Sequence, residues 1–218
     1  MQTNVAGKNE AVIQNFKYSL YFVADPAACN GRAVEDVVRA AVQGGVTMVQ
    51  LRDKASQPTI IEAQARRIQK VLHGTDIPFL INDHVEIAVA VNADGVHIGQ
   101  GDMGAADARK MIGDDKILGL TAFTRDHYAA IDPDIVDYVG TGPVFPTLTD
   151  KGKPVLGVDG FADVIKYAPV PVVGIGGITS DNARGVMQAG AQGVAMMRAI
   201  SAADDPCIAA ADLLKSIS

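Results

Sequence analysis

Residues 170–200 read VPVVGIGGITSDNARGVMQAGAQGVAMMRAI, and the order of features in this stretch decides the fold. An apolar, β-rich run at 170–175 leads into Gly174-Ile175-Gly176-Gly177-Ile178. A helix is expected over 181–189, Ala189-Gly190-Ala191 stops it, and a second apolar run follows at 193–197. Both runs are apolar throughout rather than alternating, the pattern of strands covered on both faces. Strand, helix and strand in this order pair their strands in parallel.

Reading outward, the same unit recurs. Strands are expected over 18–24, 47–51, 78–81, 95–98, 117–121 and 138–141. Helices are expected over 32–43, 60–72, 86–91, 105–112, 125–131, 161–167 and 207–217. The helix at 32–43 carries apolar residues at about 3.6 spacing and ends at Gly44-Gly45, a natural stop. Eight strand–helix units within 218 residues, with no linker between them, predict an α/β fold: a single-domain TIM (β/α)8 barrel over 18–218. A polar N-terminal extension covers 1–17.

Bulk properties narrow the function. The net charge is −6, with 48% hydrophobic and 20% charged residues, which argues against nucleic acid as a partner. No apolar run approaches the roughly 20 residues that cross a bilayer, and the start lacks the apolar core of a signal peptide, so a cytoplasmic protein with no membrane partner is expected. Cys29 and Cys207 match no metal-site spacing and read as free thiols. A homo-oligomer is left open.

A barrel carries its chemistry just after its strands. Gln50-Leu51-Arg52-Asp53-Lys54 ends one strand, and Arg52 and Lys54 share a side in extended geometry. Two such cations suit a multiply charged anion, the alternative being a solvated charge run. Asp83, in Ile81-Asn82-Asp83, and Asp102, in Gly99-Gln100-Gly101-Asp102, follow neighbouring strands. Two carboxylates completed by water and phosphate oxygens suit Mg2+; the alternative for a lone Asp is a helix N-cap. Gly174–Gly177 lies where barrels often bind phosphate. The long stretch 140–153 is rich in Gly, Pro and Thr, and Thr147 and Thr149 offer hydroxyls to a phosphate or a heterocycle; the alternative is a flexible loop. His97 lies within an apolar strand and reads as a hydrogen-bonded core histidine.

Taken together, these segments resemble the thiamine phosphate synthase family. The matching pieces are QLRDK at 50–54, INDH at 81–84, ADGVHIGQGDM at 93–103, ILGLTAFT at 117–124, YVGTGPVFPTLT at 138–149, VVGIGGIT at 172–179 and AGAQGVAMMRAI at 189–200. The resemblance implies a (β/α)8 barrel that joins an aminopyrimidine diphosphate to a thiazole phosphate with Mg2+ and releases pyrophosphate. It implies that Gln50, Arg52, Lys54 and Asn82 bind the pyrimidine diphosphate and that Asp83 and Asp102 hold Mg2+. Thr121 stands where the family usually has a Ser that contacts the pyrimidine. Thr147, Thr149 and Gly177 would bind the thiazole phosphate, with Met197 and Arg198 at the last phosphate contacts. Three positions depart from the family. Asp150 replaces the usual Lys after Thr-x-Thr, leaving Lys151 to substitute for it. Arg198 replaces a Ser, and Phe123 replaces a His. A thiazole tautomerase, which in the family uses that His, and a non-catalytic paralogue that only binds thiazole phosphate or thiamine phosphate are the competing readings.

Overall fold

The computed structural model describes residues 18–149, 152 and 154–218. The extension at 1–17 and the Asp150, Lys151 and Lys153 positions lie outside the described residues.

Eight parallel strands close on themselves in chain order. They are β1 (Leu20–Ala24), β2 (Met48–Leu51), β3 (Phe79–Asn82), β4 (Gly95–Ile98), β5 (Ile117–Thr121), β6 (Tyr138–Thr141), β7 (Val172–Ile175) and β8 (Gly193–Met196). The ring is sealed where Leu20, Tyr21 and Phe22 pair with Val194, Ala195 and Met196. Helices α1 (Val34–Gln43), α2 (Pro58–Leu72), α3 (Val85–Ala90), α4 (Ala105–Ile112), α5 (Arg125–Ala129), α6 (Gly157–Ile165) and α7 (Ala183–Gln188) connect the strands, and α8 (Arg198–Ser201) and α9 (Pro206–Ile217) follow β8. The (β/α)8 expectation holds.

Two differences have local causes. Helix α6 begins four residues earlier than the 161–167 reading, because Leu156 and Gly157 donate their N–H groups to the Pro143 and Val144 carbonyls and so anchor the helix start despite two glycines. Helix α8 has only four residues, too few to show a period.

The strand period of two sorts the core. On β1, Leu20, Phe22 and Ala24 face the helices, while Tyr21 and Val23 face the barrel axis. Met48, Leu80, Ile117, Tyr138, Val173 and Ala195 join them in the inner cluster. Tyr138 is the largest of these and fits only because β5 has Gly119 beside it. A Cβ there would lie 2.3 Å from the Tyr138 ring.

Near the strand starts, a buried ion pair ties helix α4 to the outer side of β5 and β6. Arg109 Nη2 donates to Asp137 Oδ2 at 2.7 Å, and both residues are buried. The remaining guanidinium donors reach the carbonyls of Ile135, Gly113 and Lys116. Cys29 and Cys207 are free thiols, and among the described residues no helix is long and apolar enough to cross a membrane.

Candidate active site

The parity that fills the barrel also builds its mouth. Two residues beyond each inner-core position, at the carboxyl end of the strand, the side chain again points to the axis. Met48 leads to Gln50 and Arg52, Leu80 to Asn82, Gly95 to His97, Gly119 to Thr121, and Ala195 to Met197. These residues line a cavity of about 900 Å3 at the carboxyl ends of the strands, together with Lys54, Asp83, Asp102, Thr147, Thr149, Gly177 and Arg198. The candidate substrate-binding and metal residues meet there, apart from Lys151, which with Asp150 is outside the described residues.

One wall is ionic. Lys54 Nζ lies 3.1 Å from Asp83 Oδ2, and the Asp83 and Asp102 carboxyl groups are within hydrogen-bonding reach of each other. Burial raises the Asp83 carboxyl above its ordinary range, the neighbouring Asp102 raises it further, and Lys54 opposes both. The N-cap alternative fails here: His84 holds the N-cap position of α3, and Asp83 does not cap it. Asp83 instead adopts φ +62°, a left-handed conformation that Asp tolerates better than most residues. Its backbone N–H bonds to the His97 carbonyl at 2.8 Å, which ties the end of β3 to β4. Asp102 commits one oxygen to the Gly99 N–H at 2.7 Å. Among the described residues no cluster of three or more His, Cys, Asp or Glu could hold a metal by itself.

Arg52 is anchored from below. Its Nη1 donates to Asp25 Oδ2 at 2.5 Å, while Asp25 also accepts the Ala27 N–H at 3.0 Å and caps a short 3-10 turn. The Arg52 N–H bonds to the Ala24 carbonyl at 2.8 Å, so the β1–β2 register sets the distance. Asp25 does not line the cavity but holds Arg52, a positioning role the sequence reading missed; its inward parity after Tyr21 and Val23 is the signal that could have found it.

The opposite wall is backbone. Gly176 and Gly177 have φ +95° and +66°. The Val144 and Phe145 N–H groups bond to the Ile175 and Gly176 carbonyls at 2.9 Å, which holds the loop after β6 against the loop after β7. A Cβ on Gly177 would lie 2.5 Å from the Pro146 carbonyl oxygen, so this approach requires glycine. Thr147 and Thr149 face the same space, and the Thr149 hydroxyl contacts Met197 Sδ at 3.8 Å. Arg198 borders it as well.

The floor is polar. His97 is hydrogen bonded, as expected, but its ring lines the cavity and is not enclosed in the core. Nδ1 lies 2.8 Å from the Tyr138 hydroxyl and Nε2 lies 3.0 Å from Thr121 Oγ1. Burial lowers its pKa to about 4, against the pull of Asp102, so the ring is neutral near pH 7. Phe123 packs edge-on against His127, with centroids 4.6 Å apart.

The geometry brings two cations, two carboxylates and a glycine-lined cup around one space large enough for two small molecules. Comparisons with known proteins agree on what such a chain resembles. The family described as thiamine monophosphate synthase matches residues 20–200. The thiamine-phosphate synthase of Azorhizobium caulinodans is 42% identical over 200 residues, covering 91% of this chain and 94% of its own. That of Albidiferax ferrireducens is 43% identical, covering 91% of each. The structure of thiamine phosphate pyrophosphorylase from Pyrococcus furiosus superimposes with a TM-score of 0.84 at 30% identity, covering 94% of this chain and 97% of that one.

Proposed function

The chain belongs to the thiamine monophosphate synthase family, and on that premise we propose that it condenses 4-amino-5-hydroxymethyl-2-methylpyrimidine diphosphate with 4-methyl-5-(2-phosphoethyl)thiazole, giving thiamine phosphate and pyrophosphate. The observation that carries this reading is the Asp83–Asp102 pair beside Lys54 and Arg52, opposite the glycine cup. One wall suits a diphosphate and the other a single phosphate.

The carboxylate pair fits Mg2+. Two carboxylates at neighbouring strand ends offer the hard oxygen ligands that Mg2+ prefers, and the single lysine beside them does not balance both charges. Asp83 and Asp102 would hold the ion, which when bound supplies neutralising charge to the diphosphate oxygens. Arg52 and Lys54 stabilise the negative charge that gathers on the departing pyrophosphate. Asp25 holds Arg52 in place for this task. Gln50, Asn82 and Thr121 orient the pyrimidine, whose amino group supports positive charge on the methylene carbon as its C–O bond breaks. The thiazole nitrogen then supplies the electron pair for the new C–N bond. The Gly177 cup, Thr147, Thr149, Met197 and Arg198 hold the thiazole phosphate so that this nitrogen faces the carbon. Lys151 serves the diphosphate where Asp150 replaces the usual lysine. No protein nucleophile enters the reaction.

Purified protein with Mg2+ and both substrates is expected to release pyrophosphate and thiamine phosphate in equal amounts. Release of neither, with thiazole phosphate still bound, would establish a non-catalytic binding protein instead. Gly177→Ala tests the cup. Its φ of +66° and the carbonyls of Pro146 and Phe145 at 2.5 and 2.7 Å leave no room for a methyl group without moving the loop. The KM for thiazole phosphate should rise at least about tenfold, the loss of roughly 1.4 kcal/mol of binding, with little change in the KM for the pyrimidine diphosphate. An unchanged thiazole KM would remove this loop from the phosphate site.

A further inference from the structure

A line of hydrogen bonds crosses the barrel beneath the cavity and ends on two substrate-facing residues. Gln50 Nε2 bonds to the Tyr21 hydroxyl. Tyr21 and Tyr138 join hydroxyl to hydroxyl at 2.9 Å. The Tyr138 hydroxyl meets His97 Nδ1 at 2.8 Å, and His97 Nε2 meets Thr121 Oγ1 at 3.0 Å. Four bonds thus connect β2, β1, β6, β4 and β5, and the two tyrosines at the centre are buried.

Each member of this line has few ways to bond. A hydroxyl has one proton to donate, and a neutral imidazole has one donor and one acceptor nitrogen. Once Gln50 donates to Tyr21, the Tyr21 proton goes to Tyr138. The Tyr138 proton then goes to Nδ1, which leaves the histidine proton on Nε2, donated to Thr121. Thr121 has spent an acceptor site below, so its own proton points into the cavity. Gln50 has spent an N–H below, so its carbonyl oxygen is presented above.

Reversing the chain would reverse every role at once, and the neighbouring cation opposes that. Arg52 follows Gln50 by two residues on the same face, which favours the acceptor end there. We propose that Tyr21, Tyr138 and His97 are positioning residues whose directed hydrogen-bond chain fixes Gln50 as an acceptor and Thr121 as a donor toward the bound pyrimidine. The pyrimidine as occupant rests on the function proposed above. An aminopyrimidine has both an amino donor and ring-nitrogen acceptors, so this polarity selects it over a ring with those groups exchanged.

The test is the tautomer of His97, read from its ring 15N shifts in the whole protein without ligands and assigned by comparison with His97→Gln. The expected result is a proton on Nε2. Tyr138→Phe keeps the ring in its packing and removes the central hydroxyl. It should give a mixture of tautomers and raise the KM for the pyrimidine diphosphate roughly tenfold, about one hydrogen bond's net worth, while the thiazole KM stays unchanged. Should Tyr138→Phe fail to fold, Tyr21→Phe breaks the same chain one bond earlier and should give the same mixture. A fully active wild type with its proton on Nδ1 overturns the chain and leaves the function standing. Variants that shift neither tautomer nor KM do the same. A wild type that forms no thiamine phosphate yet shows the Nε2 proton overturns the function, and with it the pyrimidine end of the proposal.

Discussion

Asp83→Asn is expected to lower turnover at least about a hundredfold, the loss of roughly 3 kcal/mol of stabilisation on the charge of the leaving pyrophosphate, and to leave the barrel folded. The substitution keeps the shape and removes one charge. Asn tolerates the left-handed backbone that Asp83 adopts at φ +62°. The Asp83 side chain is not needed for the helix that follows, because α3 starts at His84 without it. What it touches is Lys54 and Asp102. Losing a carboxyl whose charge is opposed by a neighbouring carboxyl relieves repulsion and offsets the loss of the exposed Lys54 pair, so the melting temperature of the variant should be equal to or above that of the parent. Asp102→Asn should match it in activity while keeping an acceptor for the Gly99 N–H at 2.7 Å. Measured steady-state rates within threefold of wild type at limiting Mg2+ would remove both residues from the metal site.

The second large effect lies at the other end of the barrel. Arg109→Ala should destabilise the fold by about 3 kcal/mol or more, because removing one member of a buried ion pair strands the other. Here Asp137 would keep only the Leu118 N–H at 2.7 Å, and the carbonyls of Gly113, Lys116 and Ile135 would lose their donor. In thermal melts this corresponds to a fall of roughly 6–12 °C for a chain of this size. Turnover per folded molecule, assayed well below the melting point, should not change, since neither residue reaches the cavity. A loss below about 1 kcal/mol would show that the pair contributes little. A loss of activity in a stable variant would couple the two ends of the barrel.

These two predictions mark what could and could not be read from the residues. The strands were legible because each is buried on both faces, so the apolar runs stand out without any need for alternation. Asp83 and Asp102 could be placed together because they follow adjacent strands, and in a closed barrel adjacent strands are neighbours in space. The capping role that either might have had alone falls to other residues, since His84 and Gly104 hold the N-cap positions of the helices that follow. The Asp25–Arg52 pair was not legible, because it depends on the register between β1 and β2. The chain from Gln50 to Thr121 was hidden for the same reason. It joins residues up to 117 positions apart in sequence, at Tyr21 and Tyr138, and only closure of the ring brings them together. His97 showed its strand and its polarity but not its facing, since the inward parity of β4 emerges only once Gly95 is seen packed against Ile117. The shared burial of Arg109 and Asp137 was invisible as well. Each lies in a polar stretch with no motif, and the pair is made by the packing of α4 under β5 and β6.

The most direct test of the central claim is the affinity of the whole protein for pyrophosphate, measured by calorimetry with and without Mg2+ and repeated on Asp83→Asn. The account predicts tight binding by the wild type only when Mg2+ is present, and no gain from Mg2+ in the variant. Equal binding with and without the ion, or a variant that responds to Mg2+ as the wild type does, would contradict it.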